Sequence, residues 1–139
     1  MPLRGCRILV LDDDPMRHRF FARTLIGNVV EHVNTFDHCI KALQENQNPF
    51  DVVFLDHDLN DHGLLSIGPS EMYGGVREMT GADVARFITN KLSKEKYPEL
   101  IIIHSVNDYG SANMHTILKP TNIKVERIPF SSMNDSMFT

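Results

Sequence analysis

Three short apolar segments that end abruptly in acidic or polar residues constrain the fold of this chain most strongly. They span residues 7–11, 51–55 and 100–103, and Asp12, Asp56 and His104 follow them. Continuous segments of four or five β-branched and aliphatic residues are typical of strands that are buried on both faces. We therefore predict a parallel sheet, covered by helices, with polar residues collected at the carboxyl ends of its strands.

Helical patterns lie between the apolar segments. The predicted helices are one from Pro15 to about residue 26, one at residues 37–46, one capped by Thr80 with Asp83 three residues on, and one capped by Ser111. Proline fits the first turn of a helix, and threonine and serine are favoured N-caps. In the first helix, Phe20, Phe21, Leu25 and Ile26 have the spacing of a side that faces the core.

Two weaker strand patterns, at residues 31–35 and 123–128, complete a regular alternation of strands and helices. This alternation predicts an α/β fold with right-handed crossovers, in which a five-stranded parallel sheet lies between two helical layers. Residues 1–139 are expected to form a single domain. The tail at 131–139 has room for one or two turns of helix at most, and a shortened last helix and a frayed end both fit it.

Residues 59–79 have neither helix nor strand periodicity and contain four of the eight glycines, at positions 63, 68, 74 and 75. A connection of this length in a compact domain is usually a binding loop, a lid or a disordered segment. Because the segment directly follows Asp58, we predict an active-site loop or lid between the third strand and the third helix.

The acidic residues at the strand ends predict a metal site. Ligands of doubly wound sheets bind beyond the carboxyl ends of the strands, and neighbouring strands lie about 4.8 Å apart, so their terminal carboxylates can share one cation. Oxygen-only ligands suit Mg²⁺, with Mn²⁺ as a second possibility. We predict Asp12, Asp13 and Asp56 as the ligands, with Asp58 in support. Asp14, directly before Pro15, is better explained as a helix cap.

The overall charge narrows the class of ligand. A net charge of −4 argues against broad binding to nucleic-acid backbones, which requires a basic face, but it permits a small phosphate-containing ligand or an RNA end. No apolar segment approaches the ~18 residues of a membrane helix, and no secretory signal precedes the first strand, so a cytoplasmic location is expected. Cys6 and Cys39 are predicted to be reduced thiols.

The segment from Leu9 to Pro15, with its three aspartates, and the buried strand that ends in Asp56 resemble the receiver domain of two-component response regulators. The resemblance implies a flavodoxin-like strand order of 2-1-3-4-5, a bound Mg²⁺ and a phosphoacceptor at Asp56. One departure concerns the fifth strand, where receivers carry a lysine before a proline. Here Ile128 precedes Pro129, while Lys119 and its proline fall before the strand.

Two histidine-bearing motifs resemble a narrower family, the cyclic-phosphate processing receiver domain. They are Asp56-His57-Asp58-Leu59 and His104-Ser105-Val106-Asn107, and Arg17, Thr80-Gly81 and the segment from Gly110 to Met114 add to the resemblance. It implies a phosphoesterase that acts on cyclic phosphates in RNA repair or nucleotide metabolism. It also implies that Thr80 contributes to binding the substrate.

Hydrolysis of a cyclic phosphodiester requires a base, an acid and stabilisation of the negative charge that develops on the phosphate. His57 and His104 are candidates for acid and base beside Asp56, although each could instead be a hydrogen-bonded histidine at the rim of the sheet. Ser105 and Asn107 precede a helix and could hold phosphate oxygens. Arg17 either reaches a phosphate or lies in solvent.

Three functions remain open from the sequence. The first is a metal-dependent phosphoesterase for a nucleotide 2′,3′-cyclic phosphate, an RNA terminus or a related cyclic nucleotide. The others are a signalling module phosphorylated on Asp56 and a non-catalytic nucleotide-binding protein. Whether His104 or Ser105 faces the pocket is open, because successive strand residues point to opposite faces. Tyr73 and Tyr109 are candidates for stacking on a base, and the oligomeric state is open.

Overall fold

The sheet has five parallel strands in the order β2-β1-β3-β4-β5, which confirms the predicted order 2-1-3-4-5. The computed structural model describes residues 1–59 and 79–139. The strands are β1 (Arg7–Leu11), β2 (Val29–Val33), β3 (Val52–Leu55), β4 (Leu100–Ile103) and β5 (Lys124–Arg127). The three predicted apolar strands are therefore the three central ones, where burial on both faces requires continuous apolar sequence.

Four α-helices connect the strands: α1 (Pro15–Thr24), α2 (Phe36–Glu45), α3 (Gly81–Asn90) and α4 (Asp108–Leu118). Short 3₁₀ turns lie at Lys94–Lys96, Lys119–Thr121 and Phe130–Ser132. The predicted caps of the first and third helices are confirmed, because Asp14 accepts from the Met16 N–H and Thr80 forms a capping box with Asp83. These caps fix where each helix leaves the carboxyl end of the sheet.

Two apolar cores lie on opposite faces of the sheet. On one face, Leu9, Leu11, Val53, Leu55, Ile101 and Ile103 pack with α2, α3 and α4. On the other face, Ile8, Val10, Phe54 and Ile102 pack with Phe21 of α1, with Leu25 directly after this helix and with Phe138 from the tail. The strand residues divide strictly by odd and even position, since successive side chains of a strand point to opposite faces.

Several predicted boundaries are wrong. The first helix ends at Thr24 because the chain turns at Gly27, whose φ is +92°, so Ile26 is 79% exposed and does not face the core. Strand β2 begins at Val29, two residues before the predicted segment. The prediction was misplaced because this edge strand is largely exposed and has no continuous apolar sequence that would mark its bounds.

The fourth helix begins before its predicted cap. Asn107 is the N-cap of α4, and its side-chain oxygen accepts a 2.9 Å hydrogen bond from the Gly110 N–H. Ser111, the predicted cap, is buried inside the helix, where its hydroxyl lies 3.4 Å from the Ser105 carbonyl oxygen. The helix therefore reaches closer to the strand end than the sequence indicated.

The tail forms a 3₁₀ turn and no fifth α-helix in the part of the chain that the structure describes. Phe138 is only 1% exposed and packs into the core beside α1, and its carbonyl accepts a hydrogen bond from the Leu3 N–H at 2.9 Å. The expectation of at most one or two helical turns agrees with this, and the anchored Phe138 excludes a frayed end.

The predicted lid at residues 59–79 lies outside the described residues apart from Leu59 and Met79 at its two ends. Within residues 1–59 and 79–139, the structure contains no helix with the length and apolar character needed to cross a membrane.

Candidate functional site

The side chains of Asp12, Asp56 and His104 form a row across the sheet, one residue beyond the strand ends. We call these three residues the acidic row. The parallel hydrogen bonding continues there: the Asp12 N–H donates to Val33, the Asp56 N–H to Leu11 and the His104 N–H to Leu55, at 3.1–3.2 Å. The three residues continue the even-numbered alternation, so their side chains lie on the α1 face. His104 therefore shares a face with Asp12 and Asp56.

His104 is fully buried and hydrogen-bonded to a carboxylate. Its Nε2 lies 2.7 Å from Oδ2 of Asp12, and its ring packs edge-on against Phe21 at 5.1 Å between centroids. Among the residues that the structure describes, its Nδ1 has no hydrogen-bond partner. An unpaired lone pair costs less here than a buried unpaired N–H, so the arrangement favours a neutral ring protonated on Nε2. Burial lowers the pKa of His104 in spite of the opposing effect of Asp12.

Asp12 is held as a carboxylate. Burial acts to raise its pKa, but the hydrogen bond and charge of His104, the Asp14 N–H and Arg17 together lower it below the usual value. Each oxygen has a partner, since Oδ1 accepts from the Asp14 N–H at 2.9 Å and Oδ2 contacts His104. These contacts fix the orientation of the carboxylate without using all of its lone pairs.

Asp56 lies beside Asp12, and the two carboxylates repel each other when both are charged. It is 3% exposed, and burial together with the charge of Asp12 raises its pKa to about 7, which Arg17 partly counteracts. Nη1 of Arg17 lies 3.5 Å from Asp12 Oδ2 and 3.7 Å from Asp56 Oδ1, and its Nε lies 3.9 Å from Asp14 Oδ2. Arg17 is therefore turned into the acidic row and does not extend into solvent.

An open cavity of about 210 Å³ lies next to the row. It is lined by Asp13, Asp14, Arg17, Asp56, Asp58, Ser105 and Val106. Burial and the charge of Asp12 raise the pKa of Asp13. The cavity thus combines four carboxylates with one guanidinium and one hydroxyl, a composition suited to a cation and an anion bound side by side.

The acidic row fits a divalent cation. Asp12, Asp56 and His104 each offer a ligand atom within 4.8 Å of the others, and all three are buried. Burial and the charge of Asp12 raise the pKa values of Asp13 and Asp56, and a hard cation with oxygen ligands would favour the charged form of both carboxylates. Because Nε2 of His104 already contacts Asp12, His104 is placed to orient Asp12 as a metal ligand.

His57 does not join this row. Its Nδ1 is 2.8 Å from Oδ1 of Asp58, and its ring packs on α4, where a Cβ added to Gly110 would lie 2.6 Å from it. Neither His57 nor His104 lines the cavity, so the structure does not place the two histidines on either side of one phosphate. The link to the cavity runs through Asp58, which lines it.

The predicted phosphate-binding residues divide into two groups. Ser105 lines the cavity, and its hydroxyl accepts a 3.1 Å hydrogen bond from the Asn107 N–H. Asn107 caps α4 and lies 3.4 Å from Asp58 through its amide. Thr80 lies outside the cavity lining, and its hydroxyl caps α3 by accepting from the Ala82 N–H at 3.1 Å.

Gly81 brings the start of α3 against the site backbone. Its N–H donates to the His57 carbonyl at 2.8 Å, and an added Cβ would lie 1.9 Å from the Asp56 carbonyl oxygen. Only glycine fits this close approach. The Thr80-Gly81 pair is therefore explained by the packing of α3 on the strand end that carries Asp56.

The positions of three residues at the site, His18, Phe130 and Val106, were not predicted. His18 places Nε2 2.7 Å from the Asp12 carbonyl oxygen and Nδ1 2.7 Å from Nδ1 of His32. Phe130 lies under Arg17, with 4.9 Å between the guanidinium carbon and the ring centroid. Val106 lines the cavity. The i, i+3 spacing of Asp14 and Arg17 could have indicated their pairing, whereas Phe130 and His32 come from distant parts of the sequence.

Comparison with known families decides the classification. A family model described as "Cyclic-phosphate processing Receiver domain" matches residues 7–120. The chain belongs to this family. The match to the cyclic-phosphate processing receiver domain covers β1 through α4 and includes Asp12, Asp56 and His104. No curated protein matches the chain significantly.

Solved structures with the same fold are receiver proteins of low sequence identity. NtrX from Brucella abortus, in complex with ADP, matches with a TM-score of 0.59 and 15% identity over 92% of this chain, which spans only 24% of NtrX. A CheY-like receiver domain from Methylobacillus flagellatus matches with a TM-score of 0.60 and 13% identity, covering 90% of this chain and 86% of that one.

A response regulator from Burkholderia pseudomallei, with a phosphorylated aspartic acid, calcium ion and citrate, also matches. Its TM-score is 0.57 at 13% identity, over 89% of this chain and 59% of that chain. These similarities establish the receiver fold. At such low identities they do not transfer an activity.

Proposed function

We propose that the protein is a metal-dependent phosphoesterase that opens a cyclic phosphate, such as a nucleotide 2′,3′-cyclic phosphate or a cyclic RNA terminus. The observation that carries the proposal is the cavity in which Asp13, Asp56 and Asp58 face Arg17 and Ser105. Carboxylates alone would repel a phosphate, and a cation held by them beside Arg17 reverses that repulsion. The family description supports the same class of substrate.

Each residue then has a distinct role. Asp12, Asp13 and Asp56 would hold Mg²⁺ or Mn²⁺, which supplies Lewis-acid stabilisation of the charge that develops on the phosphate. Arg17 and Ser105 bind non-bridging phosphate oxygens. His104, buried and hydrogen-bonded to Asp12 at 2.7 Å, orients this ligand and does not itself transfer a proton to the substrate.

Proton transfer is assigned to the pair formed by Asp58 and His57. Asp58 lines the cavity, and its carboxylate is 2.8 Å from Nδ1 of His57, so it can take a proton from the attacking water. The water oxygen forms a bond to phosphorus, one ring P–O bond breaks, and the released alkoxide takes up the proton that the Asp58–His57 pair removed from the water, which gives a hydroxyl beside a phosphomonoester.

Hydrolysis of 2′,3′-cyclic nucleotides with Mg²⁺ or Mn²⁺ tests the proposal. We expect turnover that EDTA abolishes and that falls at least about 100-fold in Asp56→Ala and Arg17→Ala, as for other electrostatic groups in active sites. Matched controls are Asp135→Ala and Arg23→Ala, which remove an exposed ion pair elsewhere and should leave the rate unchanged. Failure to hydrolyse any cyclic phosphate with either metal would refute the phosphoesterase.

A phosphoacceptor function is the second candidate, because Asp56 ends β3 at the cavity within a receiver fold. Incubation with acetyl phosphate and Mg²⁺, followed by intact-mass measurement, separates the two functions. A lasting adduct of one phosphoryl group that Asp56→Asn removes would favour signalling. Ile128 occupies the row position on β5, with its N–H bonded to Ile103 at 3.0 Å, so no lysine stands there to stabilise an acyl phosphate.

The third candidate is a binder that does not turn its nucleotide over. Calorimetry with a 2′,3′-cyclic nucleotide, followed by recovery of the ligand, identifies this case. Tight binding with intact ligand recovered after prolonged incubation with metal would replace the phosphoesterase with a sequestering protein.

A further inference from the structure

The basic side chain that contacts the acidic row is Arg17, which comes from α1 and not from β5. Within residues 1–59 and 79–139, Arg17 is the one arginine or lysine in an ion pair with Asp12 or Asp56. Directly after β5, Ile128 packs into the core beside α1, and Arg127 at the end of the strand donates to the Asp108 carbonyl at 3.4 Å on the opposite face. The electrostatics of the cavity therefore depend on where Arg17 is held.

The carboxylates alone hold Arg17 loosely. Its three ion-pair distances are 3.5, 3.7 and 3.9 Å, and in the part of the chain that the structure describes its side chain makes no hydrogen bond. A long side chain with several rotatable bonds loses entropy when it is fixed, and ion pairs of this length contribute little toward that loss. Another contact must define its position.

The ring of Phe130 supplies this contact. The guanidinium carbon of Arg17 lies 4.9 Å from the ring centroid, within the range of a cation–π interaction. A planar guanidinium stacks on an aromatic face and keeps its N–H groups free to bind an anion in the plane. Phe130 therefore supports Arg17 on one side while the other groups of the cavity remain accessible.

Phe130 is itself held firmly. Its backbone N–H donates to the His104 carbonyl at 2.8 Å, which ties the ring to the end of β4 beside the acidic row. Its ring packs edge-on against Phe20 and Phe21, with centroids 5.0 and 6.0 Å away. Edge-to-face contacts of this kind restrict the orientation of the ring. The support is thus preorganised by residues outside the cavity.

We propose that Phe130 is a positioning residue that holds Arg17 over the cavity for a phosphate group, so that stacking on the tail takes the place of a basic residue on β5. The proposal rests on the part of the proposed function that places a phosphate in the cavity, and it does not depend on turnover. Phe130 does not itself line the cavity, and its hydrogen bond to the His104 carbonyl is a backbone contact that Phe130→Leu retains, so the effect of its ring passes through Arg17.

Phe50 provides the control. It contacts an arginine in the same way, with the Arg7 guanidinium carbon 5.6 Å from its ring centroid. Phe50 packs into the core on the opposite face of the sheet and does not line the cavity. A change of Phe50 to Leu therefore removes a ring and a cation contact without affecting Phe130 or Arg17.

Binding of inorganic phosphate in the presence of Mg²⁺, measured by calorimetry, tests the proposal without requiring catalysis. We expect Phe130→Leu to weaken binding about 2- to 30-fold, the range for loss of one cation–π contact. Phe130→Tyr, which keeps the aromatic face, and Phe50→Leu should bind as the wild type does. Thermal melts of all variants confirm that each is folded.

Two further measurements separate positioning from a general loss of packing. In the Arg17→Ala background, Phe130→Leu should cause no additional weakening. In NMR spectra, the Nε–Hε resonance of Arg17 should lose its ring-current shift in Phe130→Leu and keep it in Phe50→Leu. The proposal is overturned if wild-type protein binds no phosphate, if Phe130→Leu binds as tightly as wild type, or if its effect persists without Arg17. Phosphate binding that depends on Phe130 in a protein that hydrolyses nothing would retain this inference and refute the phosphoesterase.

Discussion

At the scale of single residues, Asp56 shows most directly how the acidic row lowers the free energy of unfolding of the metal-free protein. Its carboxyl is nearly buried beside Asp12, and burial with that neighbouring charge raises its pKa from 3.8 to about 7. The folded protein therefore retains a proton that the unfolded chain has already lost at neutral pH. The titration of Asp56 therefore lowers the stability of metal-free protein as the pH rises from about 4 to about 7.

Asp56→Asn should remove this loss. The difference in unfolding free energy between variant and wild type should grow in favour of the variant by about 3 kcal/mol from pH 4.5 to pH 8, at about 1.36 kcal/mol for each pKa unit. Urea unfolding in EDTA at several pH values measures it. Subtraction of the wild-type curve cancels the contributions of His32 and His104, whose lowered pKa values act in the opposite direction. A difference that stays constant with pH would show that Asp56 titrates normally.

Gly81 and Gly110 differ in what an added methyl group would meet. At Gly81 the Cβ would lie 1.9 Å from the Asp56 carbonyl oxygen, which is backbone, whereas at Gly110 it would lie 2.6 Å from the His57 ring. We expect Gly81→Ala to cost at least about 3 kcal/mol and Gly110→Ala about 1–3 kcal/mol, as for overpacked cores.

A second change distinguishes the two clashes in urea unfolding. Combining Gly110→Ala with His57→Ala should relieve the destabilisation at Gly110, because the clashing atoms are gone. The same His57→Ala change should leave the cost of Gly81→Ala intact. Equal relief at both positions would contradict the assignment of a backbone clash to Gly81.

At the scale of elements, the caps explain why helices begin beside the site. Asp14, Thr80 and Asn107 each accept a hydrogen bond from a backbone N–H in the first turn of α1, α3 and α4. Asp14 also lines the cavity, so one carboxylate both begins α1 and faces the ligand site. In the sequence, polar residues that cap a helix at a strand end can therefore be mistaken for residues that bind a ligand.

Thr80 provides the test of this distinction. Because it caps α3 outside the cavity lining, Thr80→Ala should cost about 1 kcal/mol of stability, the usual value for an N-cap, and should not change the affinity for phosphate. Thr80→Ser, which keeps a capping hydroxyl, should retain both the stability and the phosphate affinity of the wild type. Urea unfolding and calorimetry on the same variants measure the two effects. Weaker phosphate binding in a stably folded Thr80→Ala protein would instead support the predicted contact with the substrate.

At the scale of the whole molecule, the last residues complete the core beside α1. No fifth α-helix covers this face in the described residues, and Phe138 packs there against the centre of the sheet, 5.5 Å from the ring centroid of Phe54. Phe130 in the same tail supports Arg17. The tail thus contributes both to stability and to the arrangement of the site.

Phe138→Ala should destabilise the protein by about 3–5 kcal/mol, the usual cost of removing a buried phenylalanine, and Phe138→Leu by less. Met137→Ala, at a partly buried neighbouring position, is the control and should cost clearly less. Urea unfolding measures all three. A loss below about 0.5 kcal/mol for Phe138→Ala, the level of an ordinary surface change, would mean that the tail is frayed in solution.

Much of this architecture could be predicted from local sequence. The central strands required continuous apolar segments, and their carboxyl ends had to carry Asp12, Asp56 and His104, because parallel strands end at the same edge of the sheet. The edge strand β2 and the start of α4 were misplaced, because an exposed edge is not constrained by burial and two residues, Asn107 and Ser111, could each cap the helix.

The sequence by itself determined the alternation of strands and helices and the acidic character of one end of the sheet, since both follow from short-range periodicity. Only the tertiary structure decided that His104 lies under Asp12, that His57 faces α4, and that Arg17 is stacked on Phe130. These contacts join residues far apart in the chain. The register of the strands and the packing of the tail bring them together, and neither is encoded in a local pattern.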